Sequence, residues 1–246
     1  MLAFRSAIAF AALTAVASIA RAQDMGNGFL FGAPSGSFVV RGGWAMARAS
    51  SDLFSFTTDE LTLKRADFSS PSGEADLAFN LGPQTQIVAS ASLATRNVRS
   101  EFRHFIDNND LPIEQTTNFA RVPLTLSIKR YLTPTGRSIG KFAWIPSRFA
   151  PYVGVGGGAM YYRFRQSGDW IDFKTMDVFT DQYESDGWAT TVNAQTGIDY
   201  SLNPRFALTA EGRYTWAKGS LSQDFQGFQK LDLSGFSTSI GVAVRY

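Results

Sequence analysis

The last eleven residues of the chain alternate without a break between two kinds of side chain. The bulky, mostly apolar set is Phe236, Thr238, Ile240, Val242, Val244 and Tyr246. The opposite set is small or charged: Ser237, Ser239, Gly241, Ala243 and Arg245. A period of two indicates a β-strand, and a tilted strand of roughly 9 to 11 residues crosses a bilayer. The segment therefore predicts a membrane-crossing strand, provided that the pattern recurs.

Seven earlier segments repeat this alternation. They are 38–47, 75–81, 87–93, 121–129, 151–164, 188–202 and 205–216. Eight is the smallest even number of strands that closes a bacterial barrel. The sequence thus predicts an all-β fold, an eight-stranded antiparallel up-and-down transmembrane β-barrel. Pro123 in the fourth segment predicts a bulge or an unpaired edge position, because proline cannot donate to a ladder.

The connections fall into two classes by length. Gly82-Pro83 and Asn203-Pro204 form tight turns, whereas 49–72, 97–118, 168–186 and 218–227 are long. Short periplasmic turns and long outer loops are typical of outer-membrane barrels. The third long connection is too apolar for a free coil, and we expect it to pack as strand extensions. Residues 133–148 are long yet fall on the periplasmic side, so we expect an ordered piece that lies along the inner interface or folds under the barrel mouth.

The first 22 residues have the pattern of a secretory signal. Arg5 precedes an apolar stretch over 7–20, and Ala20-Arg21-Ala22 is a small-x-small cleavage site. We predict a signal peptide at 1–22, a lead segment at 23–36 and the barrel domain at 37–246. Removal of the signal leaves 21 basic and 21 acidic residues, which gives no electrostatic case for nucleic acid. The chain has no cysteine, so an exported protein of this size must be held by something other than disulfides, and a closed barrel would serve.

A soluble periplasmic barrel is the competing interpretation, with the apolar face inside. Its outer face would carry many Lys, Glu and Thr residues, but the second face here consists of Gly, Ala, Ser and isolated charges, which suits a cramped interior. Aromatic residues near strand ends fit two interfacial girdles. They are Trp44, Tyr162, Trp188, Tyr200, Tyr214, Trp216 and Tyr246. The membrane interpretation is therefore favoured.

With its signal, its strand count, the run Pro151-Tyr152-Val153-Gly154-Val155-Gly156 and the terminal Val244-Arg245-Tyr246, the chain resembles small outer-membrane barrels of the OmpA transmembrane-domain and OmpW kind. The resemblance covers most of 37–246 and implies location in the bacterial outer membrane. It also implies contact with outer-membrane lipids and lipopolysaccharide, and recognition of Tyr246 by the outer-membrane insertion machinery. No cofactor is expected, and the barrel is expected to be a monomer.

Charged residues on the small-residue face are predicted to point into the lumen. They are Arg41, Asp76, Arg121, Lys129, Asp199, Arg205, Glu211, Arg213 and Arg245. An eight-stranded barrel has room only for its own side chains, so a buried salt-bridge network is favoured over a gated ion path.

These observations favour a non-enzymatic barrel with a structural or surface-contact role in the cell envelope. A narrow passive transporter for small apolar molecules is the first alternative. A lipid-A-modifying enzyme is the second, and it rests on the single histidine, His104, with Ser100 nearby. Two acidic clusters in the outer loops, one at 107–110 and one between Asp169 and Asp186, lack the spacing of a known calcium loop and are interpreted as solvated loop tips.

Overall fold

The computed structural model describes residues 32–107, 110–140, 143–172, 174–175 and 177–246. The predicted signal peptide and most of the lead segment lie outside the described residues. The strands are β1 (Gly36–Ala47), β2 (Ser70–Asn80), β3 (Thr85–Ile106), β4 (Pro112–Tyr131), β5 (Gly136–Ile139), β6 (Ala143–Pro146), β7 (Phe149–Ile171), β8 (Val178–Ser201), β9 (Phe206–Gly219), β10 (Leu231–Asp232) and β11 (Gly235–Arg245). Within the described ranges there is one α-helix, α1 (Asp52–Glu60), and there are two 3-10 turns, Arg65–Phe68 and Gln223–Phe225.

Eight of these strands form a closed ring. Their order is β1, β2, β3, β4, β7, β8, β9 and β11, and every neighbouring pair is antiparallel. The first and last strands close the ring through the run of pairs from Ser37↔Arg245 to Ala47↔Gly235. The predicted eight-stranded antiparallel barrel is confirmed.

Four strands extend far beyond the length needed to cross a bilayer. β3, β4, β7 and β8 contain 22, 20, 23 and 24 residues. β7 and β8 stay paired up to Ile171↔Val178, as expected for the third connection. The connection predicted at 97–118 is instead mostly strand, since β3 and β4 pair from Asn97↔Asn118 to Glu101↔Glu114 and, after a register shift, again at Ile106↔Pro112. Alternation is harder to recognise there because many outward positions above the membrane are polar.

Pro123 lies in β4, which has a neighbouring strand on each side, and it pairs with Met160 of β7. On the β3 side, Ala91↔Leu124 and Ala94↔Arg121 flank it in the same register, so the ladder is interrupted without a shift. The predicted bulge or edge position is wrong. Proline has no N–H to donate, so the pairing with β3 is interrupted at Val122 and Pro123, and the flanking pairs hold the register.

The exterior carries an apolar belt that includes a well-exposed large apolar residue from each barrel strand. These residues are Val40, Phe79, Leu93, Leu126, Val155, Val192, Leu208 and Ile240, the last of them 73% exposed. Aromatic side chains flank the belt: Trp44, Trp188 and Trp216 towards the outer side, and Phe149 and Tyr200 towards the inner side. An exposed belt of this extent is the surface of a protein that spans a bilayer.

Tyr162 departs from the predicted girdle. Its side chain is 2% exposed and its hydroxyl donates to the carbonyl of Ser220 inside the barrel. The neighbouring Tyr161 faces outward instead and packs against Trp188 in a tilted arrangement, with ring centroids 5.7 Å apart. Parity along the strand thus decides which of two adjacent tyrosines meets the lipid interface.

The outer half of the barrel interior is an apolar core capped by α1. Phe54 of α1 is 0% exposed, and its ring lies 4.7 Å from that of Phe68, 5.4 Å from Phe119 and 5.6 Å from Phe164, measured between centroids. Phe225 closes the other side against Phe164 at 5.7 Å. These contacts seal the outer mouth with side chains from connections that the sequence pattern left as loops.

The inner mouth is covered by the β5–β6 hairpin, which accounts for the long connection at 133–148. Its Trp144 is 5% exposed, and the guanidinium of Arg245 lies 5.4 Å from the centre of the Trp144 ring. Of the two expected positions, the hairpin takes the one under the barrel mouth.

We predict that Phe54→Ala lowers the free energy of unfolding by about 3 to 5 kcal/mol, because it opens a cavity in the outer core. Phe56→Ala in the same helix is the matched control: Phe56 is 37% exposed, and its loss is expected to cost much less. Denaturant unfolding in detergent micelles, followed by tryptophan fluorescence, measures both. Equal effects of the two variants would contradict the packing role of α1.

Candidate functional site

The centre of the lumen holds five charged side chains from three strands. The Arg41 guanidinium of β1 lies 3.2 Å from the Glu74 carboxylate and 3.4 Å from that of Glu211, and it also pairs with Asp76. Arg213 lies 2.8 Å from Glu211 and also pairs with Glu74. All five alternate along their strands with outward residues, so the period of two places their side chains inside the lumen, where they meet.

A glycine makes the contact between β1 and β9 possible. Gly241 of β11 lies between those strands, paired with Arg41 on one side and Thr209 on the other. A Cβ atom at Gly241 would stand 2.8 Å from Cγ of Arg41 and closer still to the backbone of β1. Because the glycine has no side chain, the Arg41 side chain extends across β11 to Glu211.

A second group lies nearer the inner mouth. The Lys129 ammonium is 3.6 Å from the Asp199 carboxylate and 3.5 Å from the centre of the Tyr152 ring. The Tyr131 hydroxyl donates to Asp199 at 2.6 Å. The Tyr152 hydroxyl donates to Glu211 at 2.9 Å, which joins this group to the central one. The result is a continuous hydrogen-bonded network through the inner half of the lumen.

Three of the predicted lumen residues lie outside these ion pairs. Arg245 donates to the Ser201 hydroxyl at 2.8 Å and covers Trp144. Arg205 precedes β9 in the turn, and its side chain makes no ion pair within the described residues. Arg121 lies above the central group and donates to the Leu233 carbonyl at 3.3 Å.

Tyr246, the predicted insertion signal, lies at the inner rim of the barrel, beside the junction of β1 and β11, which we call the seam. Its backbone carbonyl accepts from the amide of Ser35 at 2.7 Å, and its hydroxyl donates to the Ala78 carbonyl at 3.4 Å. The terminal residue is therefore fixed against β1 and β2, while its recognition by insertion machinery stays a prediction.

Sequence reasoning missed Glu74, Tyr131 and Tyr152. Glu74 lies two residues before Asp76, and Tyr131 two residues after Lys129, so one more step of the same alternation would have found each of them. Tyr152 has inward parity beside the outward Val153. Aromatic hydroxyls are equally suited to a girdle and to a polar lumen, and parity was the only signal that separated the two.

The outer acidic residues are engaged in local contacts. Glu184 lies 3.0 Å from the Arg163 guanidinium, and Asp186 accepts from the Tyr161 hydroxyl at 3.0 Å. Asp232 belongs to the outer cap, which consists of α1, the two 3-10 turns and β10. Burial by itself would raise the pKa of the Asp232 carboxyl, but hydrogen bonds from Ser50 and Ser234 outweigh the effect of burial and hold that pKa below its usual range. Within the described residues, no group of three or more His, Asp or Glu side chains is arranged to hold a metal ion.

The structure does not bring the two candidate catalytic side chains together. His104 is exposed near the outer end of β3, whereas Ser100 is buried and faces the interior. No hydrogen bond joins them among the described residues. The geometry needed for a base and a nucleophile is therefore not formed.

The fold and the filled lumen define a transmembrane β-barrel of the bacterial outer-membrane type. In the part of the chain that the structure describes, no helix is long and apolar enough to cross a membrane. No protein-family model matches the sequence, and no curated protein matches it.

Solved structures of small outer-membrane barrels are similar to this chain. The outer membrane protein OprG from Pseudomonas aeruginosa shares 18% identity over 88% of this chain and 99% of its own, with a TM-score of 0.48. Neisserial surface protein A shares 16% over 86% and 99%, with a TM-score of 0.42. The N-terminal β-barrel domain of Pseudomonas aeruginosa OprF shares 11% over 87% and 98%, with a TM-score of 0.38.

We predict that Glu211→Ala destabilises the barrel by roughly 3 to 5 kcal/mol, because it leaves the buried charges of Arg41 and Arg213 without one of their carboxylates. Glu184→Ala is the matched control: its ion pair with Arg163 is partly exposed, and such pairs contribute at most about 1 kcal/mol. Thermal unfolding of both variants in detergent gives the comparison. A Glu211 variant that unfolds like wild type would refute the buried network.

Proposed function

We propose that the protein is a non-enzymatic barrel of the bacterial outer membrane with a structural or surface-contact role in the cell envelope. The observation that carries this proposal is the filling of the interior at three levels. The Phe54 core occupies the outer half, the Arg41 network the inner half, and Trp144 covers the inner mouth. This arrangement supports a rigid barrel that presents a capped outer end.

The proposed partners follow from the two surfaces of the barrel. The apolar belt is suited to lipid chains, and the extended hairpins of β3–β4 and β7–β8 rise into the zone of lipopolysaccharide and of other cell-surface molecules. Their outward side chains include the exposed Arg99, which is suited to anionic groups on those molecules.

The two alternatives have less support. A passive transporter for small apolar molecules requires an open path or a lateral gap, yet the described strands pair around the whole ring and the lumen is filled. A lipid-modifying enzyme requires His104 to meet a nucleophile, and Ser100 faces away from it.

Membrane insertion predicts a large cost for charge on the belt. Ile240→Arg is expected to destabilise the barrel in phospholipid vesicles by about 2 to 4 kcal/mol if residue 240 lies at the midplane of the bilayer. Gln226→Arg, at an exposed position in the outer cap, is the control and should be near neutral. Urea unfolding from vesicles provides the measurement. If both arginines are tolerated equally, the belt does not face lipid.

A structural role predicts a barrel without discrete conductance. The folded protein, identified by a gel mobility in SDS that changes on boiling, is expected to give no channel steps in planar bilayers. Regular conductance steps from the wild-type protein would favour the transport alternative.

A further inference from the structure

A small cavity separates the charged inner half of the lumen from the apolar outer half. Its volume is about 50 Å³. Apolar groups, including those of Ala45, Ala94, Pro123, Met160 and Phe236, form most of its wall. Hydroxyl and amide side chains form part of the rest: Ser72, Ser92, Thr125, Asn193, Thr215, Ser237 and Ser239. Arg121 and Arg213 bring positive charge to its wall, and Glu74 brings one carboxylate. A buried water needs roughly 10 to 15 Å³ of such space, so the cavity has room for more than one small occupant.

Arg121 reaches this cavity as a buried cation without a direct ion pair among the described residues. Its residue is 6% exposed, and among the described residues no carboxylate lies within the 4.0 Å ion-pair distance of its guanidinium. Nη1 donates to the Leu233 carbonyl at 3.3 Å, and the guanidinium carbon lies 5.2 Å from the centre of the Phe119 ring. Nη2 is buried and has no hydrogen-bond partner within the described part of the chain. A buried charged donor without a hydrogen-bond partner is costly, so Nη2 calls for an acceptor in direct contact.

The carboxylates nearest in the fold are already engaged. Glu74 pairs with both Arg41 and Arg213. Asp232 accepts from Ser50 at 2.5 Å and from the Ser234 amide at 3.0 Å, and it lies 4.0 Å from the exposed Arg48. Glu74 is therefore shared between two other arginines, and the charge of Asp232 acts on Arg121 only from beyond ion-pair distance, so Nη2 has no anionic partner in direct contact among the described residues.

Two further side chains on the cavity wall have unused hydrogen-bonding atoms. Asn193 accepts from the Ser127 hydroxyl through Oδ1 at 3.5 Å, which leaves its Nδ2 group as a buried donor without a partner. The Thr125 hydroxyl is also buried without a partner. Together with Nη2 of Arg121, these groups supply one cation and two neutral donors to the same small space.

We propose that this cavity binds one small monovalent anion of the halide class, held by the Arg121 guanidinium with the Thr125 hydroxyl and the Asn193 amide as additional donors. A single negative charge at this point would contact the guanidinium that Asp232 reaches only from a distance, and the volume accommodates one halide with little water. Because Arg121 also binds the Leu233 carbonyl of the outer cap, the anion stabilises the junction between cap and lumen. The cap closes the outer end, so we expect the anion to be taken up during folding.

Crystals of the barrel refolded in sodium bromide test this site directly. The expected result is an anomalous bromide peak beside Nη2 of Arg121 within the cavity. Density for water alone, without an anomalous peak at that position, would overturn the proposal. This measurement uses the wild-type chain, so it does not depend on whether a variant folds.

Unfolding in matched salts provides a second test. The wild-type barrel, refolded in chloride, is expected to melt about 5 to 10 °C higher than in gluconate at equal ionic strength, the shift for an anion present at about one hundred times its dissociation constant. Arg121→Met should abolish the difference between the two salts, and Thr125→Val should reduce it. Arg205→Met, which removes an arginine at the other end of the barrel, should keep the full difference. Equal melting of the wild type in both salts, or an undiminished difference in Arg121→Met, would contradict the proposal.

Discussion

The closed hydrogen-bond ladder is the constraint on which the rest of the structure depends. In hydrocarbon each backbone N–H and C=O group must find its partner within the protein, which a sheet achieves only by joining its first strand to its last. Here β1 and β11 make that junction over the whole of β1 except its first residue. Closure with eight strands leaves an interior of side-chain width, so the inward residues have to fill it themselves.

The interior side chains are polar in one half of the barrel and apolar in the other, because the outer wall faces lipid in one half and water in the other. At the level of the belt, inward side chains are polar and charged, and they satisfy one another through Arg41, Glu211 and Lys129. Above the belt the wall itself meets water, and the interior becomes an ordinary hydrophobic core around Phe54 and Phe164. The upper half is thus built like a soluble β-protein, with α1 as the lid of its core. The lower half has the reverse distribution of polar and apolar side chains.

Alternation was sufficient to predict the ring from sequence, since eight segments of period two and the lengths of their connections agree on one topology. It also pointed most of the predicted charges inward. It could not predict the lengths of β3 and β4, where polar outward residues mask the period, nor α1, whose nine residues gain their stability from burying Leu53 and Phe54. Nor could it predict which of the predicted lumen charges find partners: Arg205, in the turn before β9, makes no ion pair among the described residues. Such outcomes depend on contacts between distant segments, which a local pattern does not contain.

The position of the charged network relative to the seam gives it a consequence for assembly. Arg41 and Glu74 come from β1 and β2 at the start of the described barrel, while Glu211 and Arg213 come from β9 near its end. Between β1 and β9 runs β11, and Arg41 crosses it over Gly241. The ion pairs that bridge the two ends of the chain therefore exist only once β11 has paired with both neighbours in the correct register. A slip of one residue along β11 would turn Gly241 out of the lumen and place a side chain in the path of Arg41. The charges are therefore satisfied in the closed, in-register barrel and remain unpaired in its misregistered forms.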